Sequence, residues 1–505
     1  MDQTLVNELK SQPRDELLFR KGEAGVGLPK LRTAYIALGS NLGDRVAMIE
    51  QACKEMDMRG IKVKRTSSLW ETEPMYVLDQ ERFVNGACEV ETELEPLSLL
   101  DALQDIEKSM GRRKIIDKGP RNIDLDILLY ENETVAHSRL QIPHPLIAER
   151  EFVLRPLAEL IPHRPLDSNR PWKLIQDYLN ELPLPANGST EPLSTLTPLR
   201  VSVTPLNALR STRQTQVMAI LNVTPDSFSD GGVHLPQSEV NPDSGLSSSS
   251  LPSPEYLARL RSAIQHFIAS GATLIDVGGQ STAPGAPEVS VTEELGRVLP
   301  AISLIRSIPE AAHVSISVDT YRAAVAEAAV AAGADIVNDV SAGLLDEEML
   351  STAARLGCTV CLMHMRGTPA TMSRLNEYPD GLIPTLAEEL RARVKAAEEA
   401  GIRRWRIILD PGMGFAKVGN QNLEILRHMP ELRRWPGLEG LPWLLGSSRK
   451  SFVGKITGVP NPGDRVFGTA ATVTAAVQGG ADIVRVHDVL EMAQVVLMAD
   501  AIYRH

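Results

Sequence analysis

Two carboxylates one residue apart, Asp124 and Asp126 in the run Gly119-Pro120-Arg121-Asn122-Ile123-Asp124-Leu125-Asp126, form the sharpest local signal in this 505-residue sequence. On a strand, successive side chains alternate, so both carboxylates point to one face. Two like charges on one face beside Arg121 call for a cation between them. A pair of Mg²⁺ ions bridging nucleotide phosphates supplies it, because Mg²⁺ takes few carboxylates together with phosphate oxygens. A solvated strand face, with Ile123, Leu125 and Ile127 buried behind it, reads equally well from this run alone. Its company favours the metal. Arg112, Arg113 and Lys114 are placed to neutralise phosphate, and Gln104 and Glu107 lie one turn apart on a helix expected over 96–110. Phe83 and Asn85 share a strand face suited to stacking on and hydrogen-bonding a flat heterocycle, and His144 sits in a stiff turn between Pro143 and Pro145.

A second constellation occupies the C-terminal two-thirds. Eight short apolar runs, at 217–222, 273–278, 314–319, 335–339, 359–364, 407–410, 443–448 and 482–487, each end in polar chemistry. Asn222, Asp319, Asn338, His364, Asp410, Ser448, Arg485 and His487 all fall at these ends. Gly278 and Gly279 permit close backbone approach to an anion, and Ser448-Arg449-Lys450 with Arg485-Val486-His487 suits a diphosphate. Asp319, Asn338 and Asp410 are suited to reading the donor edge of an aminopyrimidine ring, with Met363 or Phe415 packing nearby. Any one of these residues alone reads more simply as a cap or turn former.

The elements that must position these groups follow from periodicity. Buried parallel strands read as continuous apolar runs, and alternation with helices implies βα units. Segments such as 256–270, 292–308, 321–332 and 386–400 have helical spacing, so the second part is expected to be a (β/α)₈ TIM barrel with its site at the strand C-termini. The earlier block reads strand 33–38, helix 44–58, strands 62–69 and 83–92, helix 96–110 and strand 122–130, an α+β ferredoxin-like order. The expected division is an N-terminal tail at 1–31, a first domain at 32–182, a Pro/Ser/Thr-rich linker at 183–213 and the barrel at 214–505. A low-complexity stretch at 233–254 reads as a surface insertion.

Bulk properties set limits. A net charge of -12 argues against a general nucleic-acid or membrane-surface binder, and no apolar run approaches the length of a membrane span. Four cysteines do not make a disulfide framework, and Cys358 and Cys361 read as buried strand packing rather than half of a zinc site. The tail at 1–31 lacks the apolar core of a secretory signal, which leaves cytoplasm or mitochondrion as the expected compartment.

Residues 35–44, Phe83-Val84-Asn85-Gly86 and the Gly-Pro-Arg…Asp-x-Asp core together resemble 6-hydroxymethyl-7,8-dihydropterin pyrophosphokinase over roughly 32–182. The resemblance implies transfer of the terminal diphosphate of ATP to a pterin hydroxymethyl group, releasing AMP. Asp124 and Asp126 would hold two Mg²⁺, and Gln104, Glu107, Arg121 and His144 would surround ATP with Arg112 on its phosphates. Thr72, Pro74, Phe83, Asn85 and Phe152 would frame the pterin. Bacterial members often carry tryptophan where this chain has Lys118.

The stretches 222–232, 276–282, 317–320, 338–339, 362–365, 410–414, 448–450 and 485–488 resemble dihydropteroate synthase from about 216 onward. That resemblance implies that p-aminobenzoate displaces diphosphate from the pterin methylene. Asn222 would bind one Mg²⁺, Arg485, His487 and Thr282 the diphosphate, and Asp319, Asn338, Asp410 and Lys450 the pterin. Phe228, Ser448 and the 282–284 stretch would shape the p-aminobenzoate pocket. Many bacterial members have arginine where this chain has Ala283. The two activities are consecutive, which favours a bifunctional folate-biosynthesis enzyme that dimerises through its barrel. The alternatives are a pterin-binding methyltransferase barrel, which needs no diphosphate residues, and a pterin-binding scaffold with one decayed site.

Overall fold

The computed structural model describes residues 30–75, 79–112, 119–167, 169–183, 193–200, 203–223, 253–280 and 288–504. The first domain follows the expected order: β1 (Arg32–Ser40), α1 (Arg45–Met58), β2 (Lys62–Thr66), β3 (Leu69–Thr72), β4 (Phe83–Thr92), α2 (Pro96–Ser109) and β5 (Asp124–Tyr130). Its antiparallel sheet runs β5-β1-β4-β3, with β2 also on β4. Alternation sends Ile36, Leu38 and Val84 into a core with Ile49 of α1 and Leu99 and Leu103 of α2. The other face buries Tyr35, Ala87 and Leu129 against α3 (Glu151–Leu160) and α4 (Ile175–Asn180). β6 (Val135–His137) and β7 (Leu140–Ile142) form a separate antiparallel pair between them.

The strand expected over 62–69 is two strands. Ser67 and Ser68 interrupt it: the Ser67 hydroxyl takes the place of a backbone carbonyl in accepting from Ala87 N at 2.9 Å, and Ser68 N turns to donate to Glu159 Oε2 at 2.7 Å.

Of the segment read as a linker, the described residues 193–200 and 203–213 include pieces built into the fold. β8 (Ser194–Leu196) pairs antiparallel with β3 and extends the first domain's sheet. Leu199 and Leu206 then bury against Met218, Leu274, Ile336, Cys361, Ile408, Leu444 and Ile483, the inward side chains at the base of the barrel. Prolines hid this role, because such short pieces carry no periodicity to read.

The barrel strands are β9 (Gln216–Asn222), β10 (Leu274–Gly278), β11 (Ser315–Asp319), β12 (Ile336–Asp339), β13 (Thr359–Met363), β14 (Ile407–Asp410), β15 (Leu444–Leu445) and β16 (Ile483–Val486). They correspond to the eight apolar runs. The sheet order is β14-β13-β12-β11-β10-β9-β16-β15, and a parallel bridge from Leu409 to Trp443 joins its ends. Around it stand α5 (Pro254–Ala269), α6 (Val291–Arg306), α7 (Ala323–Ala331), α8 (Met349–Leu356), α9 (Leu382–Glu399), α10 (Asn420–Leu432), α11 (Ser451–Thr457), α12 (Val466–Gly479) and α13 (Val489–Tyr503). Cys361 faces the barrel interior and Cys358 the outer core; burial raises both thiols, as strand packing requires.

The 3₁₀ turn Arg404–Arg406 joins the halves. Trp405, 1% exposed, packs into the first domain's core. Its indole N–H donates to Glu50 Oε1 at 3.1 Å, and Arg406 grips both Glu50 oxygens at 2.7 and 2.8 Å. Among the described residues, no helix is long and apolar enough to cross a membrane.

Candidate active sites

In the first domain, Gly39 on β1 stands between two groups of polar residues. A Cβ there would come within 3.3 Å of Asn85 Oδ1 on one side and 3.6 Å of the Asp124 Cβ on the other. Glycine therefore leaves an open floor between β4 and β5. On the β5 side, Arg112 reaches Asp124 at 2.9 Å and Arg121 reaches it at 2.6 Å, while Arg112 also pairs with Glu107. Glu107 is buried and accepts from Leu125 N at 2.8 Å, so it fixes α2 against β5; Gln104, one turn earlier, faces solvent. Burial raises the Asp126 pKa, and the neighbouring Asp124 and Glu107 raise it further. The Asp126 carboxylate has no hydrogen bond or ion pair to another described residue, its backbone pairing with Ala37 in the β1–β5 ladder. A carboxylate so placed fits a divalent cation, whose charge would reverse that shift. No group of three or more His, Cys, Asp or Glu able to hold a metal occurs among the described residues.

On the β4 side, Asn85 Nδ2 donates to Thr72 Oγ1 at 2.9 Å, and Thr72 lies opposite Phe83 in the β3–β4 register. Pro74 is buried, and Phe83 and Phe152 are half-buried, the latter under the Arg150 guanidinium at 5.6 Å. His144 donates its backbone N–H to Leu128 O at 3.0 Å, and burial keeps its imidazole neutral. Arg113, Lys114 and Lys118 lie outside the described residues.

At the barrel mouth, Arg485 bridges two acids: Nε donates to Asp276 Oδ2 at 2.6 Å and a terminal nitrogen to Asp319 Oδ2 at 2.7 Å. Asn338 Nδ2 donates to the same Asp276 oxygen at 3.1 Å. Asp276 is fully buried and was read only as part of a motif, yet it fixes both side chains. A charged residue inside an otherwise apolar strand was the signal available for it. Burial raises the Asp319 pKa against the pull of Arg485. The second oxygens, Asp276 Oδ1 and Asp319 Oδ1, are buried and have no hydrogen-bond partner among the described residues.

Asp410 accepts from Gly412 N at 2.7 Å, and Lys450 reaches across to the Met413 carbonyl with its ammonium 4.6 Å from the Phe415 ring centre. Burial pushes Lys450 down to about 8 although Asp410 pulls it up. Met363 packs in one apolar cluster with Phe415. Ser448 Oγ accepts from His487 N at 3.2 Å, so its hydroxyl proton is free to donate to His487 Nδ1 at 3.0 Å. That leaves the His487 proton on Nε2. Burial first, then Arg449 and Arg485, lowers this imidazole to about 3, so it is a neutral donor. Asn222 lies at the end of β9, its Oδ1 3.3 Å from where a Gly278 Cβ would stand. Phe228, Thr282 and Ala283 lie outside the described residues, as does the insertion at 233–252.

Comparison with known proteins matches residues 35–162 to the 7,8-dihydro-6-hydroxymethylpterin-pyrophosphokinase family and residues 239–487 to the pterin binding enzyme family. Over 477 residues the chain is 44% identical to the folic acid synthesis protein fol1 of Pneumocystis carinii, covering 93% of this chain and 60% of that protein. The chain thus spans well under two-thirds of that relative's length. Over 480 residues it is 42% identical to a mitochondrial folate synthesis bifunctional protein of Pisum sativum, covering 93% of this chain and 89% of the relative. The fold is shared with a crystal structure of Plasmodium falciparum HPPK-DHPS with pteroate, at a TM-score of 0.74 and 21% identity, covering 94% of this chain and 98% of that one. With both domain types present in order and the pea protein matched along most of its length, this chain belongs to the family of bifunctional folate synthesis proteins.

Proposed function

We propose that the chain catalyses two consecutive steps of folate biosynthesis. In the first domain, the hydroxyl oxygen of 6-hydroxymethyl-7,8-dihydropterin attacks the β-phosphorus of ATP and its proton passes to solvent. The α–β bridging bond breaks and AMP leaves. Thr72, Pro74, Phe83, Asn85 and Phe152 frame the pterin, and Gln104, Glu107 and His144 surround ATP. Arg112 and Arg121 carry the phosphate charge. Asp124 and Asp126 are placed to hold two Mg²⁺, which would neutralise charge on the transferring group. The observation that carries this reading is the pairing, across Gly39, of an amide-and-hydroxyl patch with a carboxylate–arginine cluster.

In the barrel, the C–O bond to diphosphate breaks, leaving a resonance-stabilised pterin cation. The amine lone pair of p-aminobenzoate then forms the C–N bond and releases a proton to solvent. Arg485, neutral His487, Lys450 and Thr282 receive the leaving diphosphate, and Asn222 is placed to hold one Mg²⁺ on it. Asp319, Asn338, Asp410 and Lys450 grip the pterin with Met363 or Phe415 packing nearby, and Phe228 and Ser448 shape the p-aminobenzoate side. Diphosphate-directed cations of this kind disfavour a methyltransferase barrel. An intact acid–arginine set in both domains disfavours a decayed scaffold.

The test supplies hydroxymethyldihydropterin, ATP, Mg²⁺ and p-aminobenzoate and follows AMP, diphosphate and dihydropteroate together. All three appear if the reading holds. AMP without dihydropteroate, even from preformed pterin diphosphate, would remove the barrel activity.

The partner proposed is a second copy of the chain. Ile456, Phe467, Leu490, Leu497, Met498 and Ile502 on the consecutive outer helices α11, α12 and α13 are exposed, Phe467 by 90%, and supply the apolar surface such a contact would bury. Sedimentation of the chain with Phe467→Asp is expected to give monomer. The compartment proposed is cytoplasm or mitochondrion, the pea relative being a mitochondrial protein.

A further inference from the structure

Behind the Asp410 side of the barrel mouth lies a row of charged groups that the reaction above does not use: Lys417, His364, Glu389 and Arg366. Lys417 and His364 are 4% and 3% exposed, while the Glu389 side chain, on α9, is 40% exposed. The Glu389 carboxylate lies 2.7 Å from His364 Nε2 and accepts from Arg366 Nε at 3.1 Å on each oxygen. Burial opposes its charge, but the bonds from His364 and Arg366 hold it down to about 2. An ionised carboxylate offers no proton, so His364 carries its proton on Nε2 and Nδ1 is an acceptor. Burial and the adjacent Lys417 keep that ring neutral, down to about 4. Lys417 Nζ then meets three acceptors: His364 Nδ1 at 2.8 Å, the Phe415 carbonyl at 2.8 Å and the His364 carbonyl at 3.4 Å. Burial lowers the Lys417 pKa well below its ordinary value while Asp410 raises it, and the three acceptors match the three N–H groups of its ammonium form.

We propose that Lys417 is a positioning residue for the pterin side of the synthase site, held in place from the surface by Glu389 through His364. The proposal rests on the synthase reading above. The loop it ties down, 410–417, carries Asp410 at one end and Phe415 near the other. Its approach to His364 is close enough that a Cβ on Gly412 would fall 2.0 Å from the His364 carbonyl oxygen, so loop and histidine share one placement. His364 N also donates to Asp410 O at 2.9 Å. A second tie runs from the same carboxylate: Arg366 lies 4.2 Å from the centre of the Tyr378 ring, whose hydroxyl donates to Ala416 O at 3.0 Å. Burial raises the Asp410 carboxyl, and the Gly412 N–H, Lys450 and Lys417 each pull it back toward the ionised form that accepts from an aminopyrimidine edge. Glu389 thus reaches the pterin side by two routes while its own oxygens are taken up by His364 and Arg366.

The test uses the full chain and reads the dissociation constant of preformed pterin diphosphate by its fluorescence, KM for both synthase substrates, kcat, and AMP formation as an internal control of folding. Glu389→Ala is expected to weaken pterin diphosphate about tenfold, a shift of about 1.4 kcal/mol. Under Glu389→Ala, KM for p-aminobenzoate and AMP formation change less than about twofold. Glu389→Gln keeps an amide oxygen for His364 Nε2–H and is expected to restore affinity to within about threefold. Lys417→Met is expected to exceed the Glu389→Ala effect where the variant folds. Unchanged pterin affinity in Glu389→Ala would overturn the proposal. So would equal loss in the alanine and glutamine variants, or a parallel rise in both KM values. If the unaltered chain binds pterin diphosphate without making dihydropteroate, the synthase reading fails while the affinity series still decides on Lys417; if it does not bind, both fail.

Discussion

Replacing Trp405 with alanine tests how far the barrel completes the first domain. The side chain belongs by sequence to the turn before β14, yet 1% of it is exposed and its neighbours are Ile49, Cys53, Val63 and other members of the first domain's core. Truncating a buried tryptophan costs about 3–5 kcal/mol. Its hydrogen bond to Glu50 is worth about 1 kcal/mol, and Arg406 still neutralises that carboxylate, so no orphaned charge is added. With an m-value of about 2 kcal/mol/M for a domain of this size, the urea midpoint for AMP formation should fall by about 2 M. Dihydropteroate formation from preformed pterin diphosphate should lose its midpoint far less, because the barrel's own core does not contain Trp405. Both activities are followed across one urea series, in the parent and in Trp405→Ala. Loss of both at the same urea concentration, or a shift below 0.5 M (about 1 kcal/mol), would refute the claim that this side chain is a first-domain core residue carried by the barrel.

Three further outcomes are expected. Asp276→Asn keeps the shape but removes the charge that orients Arg485 and Asn338; a lost charge-assisted bond of about 1.5–3 kcal/mol lowers synthase kcat/KM about 10- to 100-fold, with AMP formation as the unaffected control. Asp126→Asn should abolish Mg²⁺-dependent AMP formation while preformed pterin diphosphate is still converted. Lys450 sets a limit on the alkaline side: burial lowers it to about 8, so its ammonium is present below that pH and lost as pH rises through it. Affinity for pterin diphosphate should therefore be flat below about pH 7 and fall about tenfold per unit well above 8, with Lys450→Arg moving the break past pH 10.

The fold was legible where elements are long and one-sided. Eight apolar runs gave eight barrel strands, because a strand buried on both faces must be apolar throughout. Alternation likewise located β1, β4 and β5. What escaped was made of pieces too short to have a period. β8 is three residues, Leu199 and Leu206 are single plugs, and the turn Arg404–Arg406 looks like a polar connector until its tryptophan is seen in another domain's core. Tertiary contact decides such pieces, and a sequence window does not contain it.

The site divides in the same way. The positions of Asp319, Asn338 and Asp410 at the barrel mouth were readable because a parallel strand must deliver its C-terminal residue there, and those of Lys450, Arg485 and His487 because they follow or end such strands. Asp276, Lys417 and Glu389 act on those groups from behind, and only the fold brings Glu389 to His364, 25 positions earlier. Their placement also gives the mouth a polarity. Acids stand on β10, β11 and β14, while Lys450 follows β15 and Arg485 and His487 lie at β16. A ligand with an anionic tail and an N–H-rich ring has only one orientation that sets tail against cations and donors against carboxylates. Arg485 sits at the junction, and its two acids prevent it from swinging wholly toward the tail. Asp276 is thus more than a counter-charge. On the synthase reading proposed above, an Arg485 held at the boundary would let diphosphate leave while the ring stays held on the acid side for the incoming amine.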